Sequence, residues 1–522
     1  MTINKKRLPL VVLGFDTGDY DAIERWTREG HLPTLASIMK RGCWGQTGGP
    51  EMICEYGAGL TLFSGISRAR HGYYYFRQLK PGTYQLETVQ PSDVKNAPPF
   101  WSYLRGRNQS VLVVDAPDVG PVAGLGGVQI ANWGTHTHTH DVTSTQPVEL
   151  LEAVIQLVGP RMTIPVVPDS DFAQDQQIYR RLLERIGKKG KLCRGLLSDK
   201  HFDFININFS ETDPASTQFW KYRPEAQSQG AATKGSELTH AIRDVYQAID
   251  REMGLLLAQL PEESNVVIYS LYGAQDEYPT STLIDSFCRQ LGYHAALPAS
   301  KRSPSLLGLA RQFIPQSLRL AISRYLPSST QESLLANALN AGTDWQKTVA
   351  FAIPSLFTSF VRVNVRGREP AGIVEPGADY TAVLDRLEND LKQLIDPHDG
   401  RPAVKRVARA VELFDLAPSH ALPDLFVEWK TGARLMDQVV HPQTVLVQER
   451  PQYCPDNQEK LSGFFAAAGP SIAGRGAIGD IALLDLAPTC LSLLDEPAPQ
   501  EFSGRVLNNI IWAESNNRVT VS

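Results

Sequence analysis

Four short runs rich in β-branched residues recur between amphipathic stretches: LPLVVLGF (8–15), SVLVVDAP (110–117), FDFININF (202–209) and SNVVIYSL (264–271). Apolar runs without alternation mark strands buried on both faces, and such strands belong to parallel sheets whose crossovers are helices. Helical periodicity fills the gaps at 20–41, 148–158, 174–198, 234–259 and 279–291. The pattern predicts an α/β fold, a mostly parallel central sheet flanked by helices, with a smaller α+β subdomain. In sheets of this kind, functional residues gather in loops at the carboxyl ends of the strands. Asp16, the Glu211–Thr217 loop and the Leu271–Asp276 loop fall there.

The chain divides by composition. Residues 1–296 read as the first part of the α/β core and 297–343 as a helical cover segment. Residues 344–440 read as the smaller α+β subdomain, with 441–522 returning to the core. In the cover segment, SLLGLARQFIPQSLRLAISRYLP carries Arg311, Arg319 and Arg324 between apolar residues. Basic amphipathic helices of that type bind lipid surfaces. Pro315 and Pro327 interrupt this one, and packing over the core is the reading taken. In the subdomain SFVRVNVRG and PDLFVEWK read as strands and DYTAVLDRLENDLKQLI as a helix.

At 522 residues, with 42% apolar and 20% charged residues, the composition is that of a globular protein. A net charge of -5 argues against a nucleic-acid partner held by a basic field. The six cysteines show no paired spacing, the usage of a reducing compartment, so a cytoplasmic location is expected. The N-terminal LPLVVLGF is short for a signal-peptide core and no cleavage site follows it. No apolar stretch approaches the roughly 20 residues that span a bilayer, so no transmembrane segment is expected.

Several segments in order carry a resemblance. Gly14-Phe15-Asp16 is followed by EGHLPTLASIMKRGCWG, and SGISRARHGYYYF occupies 64–76. DWQKTVAF, VRVNVRGREPAGIVEPG and LPDLFVEW follow, then GPSIAG, DLAPTCLSLL and SGRVL. Together they resemble the alkaline phosphatase superfamily, in particular its type I phosphodiesterase/nucleotide pyrophosphatase branch. The resemblance implies paired metals that clamp a phosphoryl group and activate a nucleophile. It carries Asp16 and Asp213 across as metal ligands. The histidine partnered with Asp213 becomes Thr217, the expected Asp-His after the fourth strand becomes Leu271-Tyr272, and the last histidine becomes Glu459. The nucleophile slot falls on Glu55, or on Cys54 if the correspondence shifts by one residue. The usual two-zinc site is therefore incomplete.

Two other sets could supply ligands. Asp16, Asp19, Glu55, Glu211, Asp213, Asp276 and Glu459 form an oxygen-rich set that suits Mg²⁺, Mn²⁺ or Ca²⁺ better than Zn²⁺; the competing reading is that Asp16 caps a helix and the others are solvated loop acids. His136, His138 and His140 in WGTHTHTHD would share one face if extended, a geometry that can hold zinc. The resemblance supports only His136. Arg68 and Arg70, after the Ser64-Gly65 turn, and Arg368 in the subdomain suit phosphate, and Trp345 could flank a leaving group. Each also reads as a structural or surface residue, as do Arg362, Arg366 and Lys347, while His71 reads as a loop support. Tyr272 joins Glu55 and Cys54 as a candidate catalytic group.

Two functions follow. One is a divergent phosphodiesterase or phosphatase acting on a small phosphorylated, nucleotide-like metabolite through a rearranged Mg²⁺, Mn²⁺ or Zn²⁺ site. The alternative is a repurposed or inactive member that binds a phosphorylated ligand or partner, or a metal-free transferase.

Overall fold

The computed structural model describes residues 8–135, 142–167, 170–227, 237–276, 280, 282–297, 339–340, 342–415, 417, 419–432, 435–448 and 457–512. His136, His138 and His140 lie outside them, as does most of the 297–343 segment.

The predicted strands form the centre of an 11-stranded sheet. Across it run Cys43–Gly48, Gly463–Ala468, Asn265–Asp276, Leu10–Thr17, Phe204–Phe209, Ser110–Val114 and Gly126–Ala131. Leu10–Thr17 pairs in parallel with Phe204–Phe209 on one side and with Asn265–Asp276 on the other. Gly463–Ala468 runs antiparallel between its neighbours, so the closing segment returns to the main sheet. Two apolar cores cover the two faces. The first is packed by the long helices Phe172–Asp199 and Ala241–Leu257.

Side-chain hydroxyls join the strands where the ladders end. Ser270 Oγ donates to the Gly18 carbonyl (2.8 Å) and accepts from Phe464 N (2.5 Å). Thr47 Oγ1 donates to the Ser270 carbonyl (3.2 Å) and accepts from Gly463 N (2.7 Å). A Cβ on Gly463 would lie 2.3 Å from the Ser270 carbonyl oxygen, so this approach requires glycine.

Three expectations need correction. The helix expected over 20–41 is two helices, Tyr20–Arg28 and Pro33–Arg41. Gly30, at φ +82°, ends the first and Pro33 opens the second. The Glu211–Thr217 loop is mostly helix, Thr212–Phe219. The Leu271–Asp276 loop is strand, because Asn265–Asp276 continues by pairing with Asn457–Lys460, Ala274 opposite Glu459.

The smaller unit contains the antiparallel sheet of Ala350–Ile353, Ser359–Val363, Leu425–Trp429 and Val404–Arg409. Helices Ala378–Lys392 and Leu283–Gln290 share its core. Among the described residues, no helix is long and apolar enough to cross a membrane.

Candidate functional site

Asp16 stands near the end of its strand, and Asp213 and Thr217 are one helical turn apart on the neighbouring helix, hence on one face. The extended strand brings Leu271 and Tyr272 to the same place, and its antiparallel partner brings Glu459. With Glu55 these residues line a cavity of about 170 Å³. The sequence thus located the cavity. It missed Asp118, which follows the strand Ser110–Val114, and the amides Asn457 and Gln458, which also line it. Asp118 had a signal in its place after a strand. Asn457 and Gln458 had none.

Burial dominates the electrostatics. Asp16 accepts from Asn208 Nδ2 at 2.9 Å, yet desolvation, with the nearby Asp213 adding to it, pushes its carboxyl up to about 7. Glu459 is pushed well above the usual carboxylate range by burial, then by Asp213, Glu55 and Asp16. Burial also raises Asp118 and Glu55. Glu55 Oε1 accepts from Thr358 N (3.0 Å), Thr358 Oγ1 (2.6 Å) and Gln458 Nε2 (2.5 Å), which holds the carboxyl against the cavity wall. Tyr272 is 5% exposed, and its hydroxyl has no hydrogen-bond partner among the described residues. Burial raises the phenol well above its ordinary value, so it is a neutral donor.

Other candidates lie elsewhere. Cys54 is buried, its Sγ donates to the Tyr74 carbonyl at 3.2 Å, and burial pushes its thiol up to about 11. A thiol so held is a poor nucleophile. Arg68 is fully buried, and its guanidinium donates to the carbonyls of Tyr56 (2.7 Å), Tyr73 (3.0 Å) and Glu51 (3.1 Å), with Glu51 as its ion partner. It braces the 51–73 loop instead of meeting substrate. Arg70 is spent on the Glu501 carbonyl at the surface. Arg368 is buried between Asp424 (2.7 Å) and Glu369 (2.8 Å). Trp345 stacks on Tyr84 at 3.5 Å and donates to Asn340. Asp276 accepts from Trp220 Nε1 and pairs with Arg223 (2.7 Å) beside a separate cleft of about 760 Å³.

Asp19, rather than Asp16, caps the first helix, accepting from Ala22 N at 2.9 Å. Glu211 is buried against Arg185 at 2.6 Å. Arg68→Lys is expected to cost about 1–3 kcal/mol in urea denaturation, since an ammonium cannot span the three carbonyls of the guanidinium fork.

The residues do not fit a two-zinc centre. Among the described residues, no imidazole lines the cavity and Leu271 and Tyr272 form part of its wall. Nor does any group of three or more His, Cys, Asp or Glu side chains among them stand in metal-holding geometry.

Similar folds occur in solved structures. Phosphonoacetate hydrolase from Sinorhizobium meliloti 1021, in complex with phosphonoformate, aligns at 12% identity and a TM-score of 0.50 over 94% of this chain and 96% of its own. An inactive variant of murine ectonucleotide pyrophosphatase/phosphodiesterase 5 in complex with AMP aligns at 12% identity and a TM-score of 0.48, over 97% of this chain and 100% of its own. The human form of that protein aligns at 11% and 0.48 with the same coverage. No curated protein matches in sequence. The family model for type I phosphodiesterase / nucleotide pyrophosphatase matches residues 10–449. With most of its length matched in this way, and the sheet that the resemblance implies in place, the chain belongs to the type I phosphodiesterase / nucleotide pyrophosphatase family.

Proposed function

We propose that the protein is a divergent phosphoester hydrolase acting on a small phosphorylated metabolite by general acid–base catalysis in the Asp16–Glu459 cavity. One observation carries the reading: Asp16 and Glu459 line the same cavity, where burial and their acidic neighbours raise both carboxyls, that of Asp16 to about 7. Pairs of acids held at different protonation states divide the roles of base and acid. In its ionised fraction Asp16 takes a proton from water as the water oxygen bonds to phosphorus. The P–O ester bond breaks, and the departing oxygen takes the proton of Glu459. Solvent then resets both groups. Tyr272 donates from its free hydroxyl to a phosphoryl oxygen. Glu55, held by Thr358 and Gln458, is a positioning group rather than a nucleophile.

The groups acting on Asp16 fix the sign of the pH dependence. Asp213 opposes its ionisation, while Asn208, Ser210 and Lys189 favour it. Turnover of an aryl phosphodiester is expected to rise through about pH 7 as Asp16 ionises. Chelator treatment is expected to leave turnover unchanged. Absence of turnover on mono- and diesters in chelated samples, or turnover that appears only with added metal, sinks the proposal.

The five described cysteines are free, which supports placing the protein in the cytoplasm.

A further inference from the structure

We propose that the separate cleft of about 760 Å³ is a second ligand site, one that takes a small aromatic carboxylate. Such a site stands whether or not the Asp16–Glu459 cavity hydrolyses esters. Pockets that hold small molecules run to about 300–1,000 Å³ and combine aromatic walls with a few polar groups. This cleft has both the size and the walls. The helix Thr212–Phe219 sets it apart from the cavity. Asp213 and Thr217 of that helix line the cavity, whereas Ser216, with Trp220 just beyond the helix end, lines the cleft.

Trp26 supplies the surface for a ring. It belongs to the helix Tyr20–Arg28, is only partly buried, and meets Tyr246 edge to face with ring centres 5.0 Å apart. The other indole of the cleft, Trp220, is already covered, since the Arg223 guanidinium lies 3.3 Å from its centre. Arg243 precedes Tyr246 by three residues on the helix Ala241–Leu257, so the two share a face and Arg243 flanks the Trp26–Tyr246 pair. Four acids of the lining already face cations. Asp276 is held by Arg223 (2.7 Å), Asp21 and Asp19 lie 3.0 and 3.9 Å from Lys460, and Glu225 lies 3.9 Å from Arg25. Arg243 is matched less well. Asp244 stands 3.6 Å from its Nη2, beyond hydrogen-bond reach, and accepts instead from the Tyr179 hydroxyl at 3.1 Å. The Arg243 Nε has no hydrogen-bond partner among the described residues. A guanidinium so placed suits a carboxylate. The acids around it disfavour a second negative charge, so a monoanion is preferred to a phosphate dianion.

The test is calorimetric titration of the full chain at pH 7.5 with three probes. Phenylacetate carries ring and charge, cyclohexylacetate the charge without the aromatic ring, and 2-phenylethanol the ring without the charge. Phenylacetate is expected to bind about fivefold more tightly than either. Arg243→Gln is expected to abolish its advantage over 2-phenylethanol, and Trp26→Leu its advantage over cyclohexylacetate. Asp16→Asn, altered in the cavity, is expected to leave its affinity unchanged. No binding of phenylacetate, equal affinity for all three probes, or an unchanged preference in a folded Arg243→Gln overturns the proposal. Loss of binding in Asp16→Asn does so as well, because it would place the probe in the cavity. If Trp26→Leu does not fold, the native comparison with cyclohexylacetate tests the ring. Arg243 is 24% exposed, so its replacement leaves the core intact and tests the charge.

Discussion

Asp16→Asn is expected to lower kcat by about 10²–10⁴-fold and, at the same time, to stabilise the protein in alkaline solution. The loss follows from removing the base while keeping an oxygen that can still accept from Asn208. The gain in stability follows from linkage. The folded state holds the Asp16 proton up to about pH 7, whereas the unfolded chain releases it near 3.8. Between those values the folded state binds the extra proton, so this group's contribution falls as pH rises and stays lost above 7. Holding the proton up to about 7 instead of 3.8 corresponds to about 4 kcal/mol, and partial exposure of Asp16 reduces this to the order of 2 kcal/mol. Denaturation at pH 8 and pH 4 checks it: the variant gains at pH 8 and matches the native protein at pH 4. Equal stabilities at pH 8 would show that Asp16 is solvated and is not the poised base.

The second large effect lies beneath the site. Lys189 is fully buried, with its Nζ 2.9 Å from Asp115 Oδ2 and 2.8 Å from the carbonyl of Asn208, the residue that holds Asp16. Glu211 is 3.9 Å away and is paired with Arg185. Asp115 in turn accepts from the backbone of Trp133 and Gly134. Lys189→Met leaves Asp115 as an uncompensated buried charge and the Asn208 carbonyl without its donor. A cost of about 3–5 kcal/mol in urea denaturation is expected. A purely structural role would end there. Because Lys189 also favours the ionised form of Asp16, its loss is expected to move the rising limb of the pH–rate profile to higher pH. A limb that does not move would confine Lys189 to folding.

The core of the fold was legible because strands buried on both faces carry unbroken apolar runs, and position in the sheet then follows from order along the chain. Asp16 and Asp213 were legible for the same reason, since each lies at or just beyond the end of such a run. The continuation of Asn265–Asp276 was not legible. It depends on pairing with Asn457–Lys460, far away in sequence, and strand preference yields to such tertiary pairing. The arginines misled for a related reason. Arg68 and Arg368 look like phosphate ligands by residue type, but loop carbonyls consume the first and buried acids the second. An isolated sequence does not show which carbonyls a folded loop will leave in need of a donor.

The hydroxyls of Ser270 and Thr47 bind four strand segments to one another just behind Leu271 and Tyr272. Those bonds belong to the chain alone and need nothing inside the cavity to complete them. Its walls therefore keep their spacing whatever the cavity holds, and its lining can be exchanged residue by residue while the frame endures. On such a scaffold, ligand preference can be rewritten by substitution without the chain having to learn to fold again.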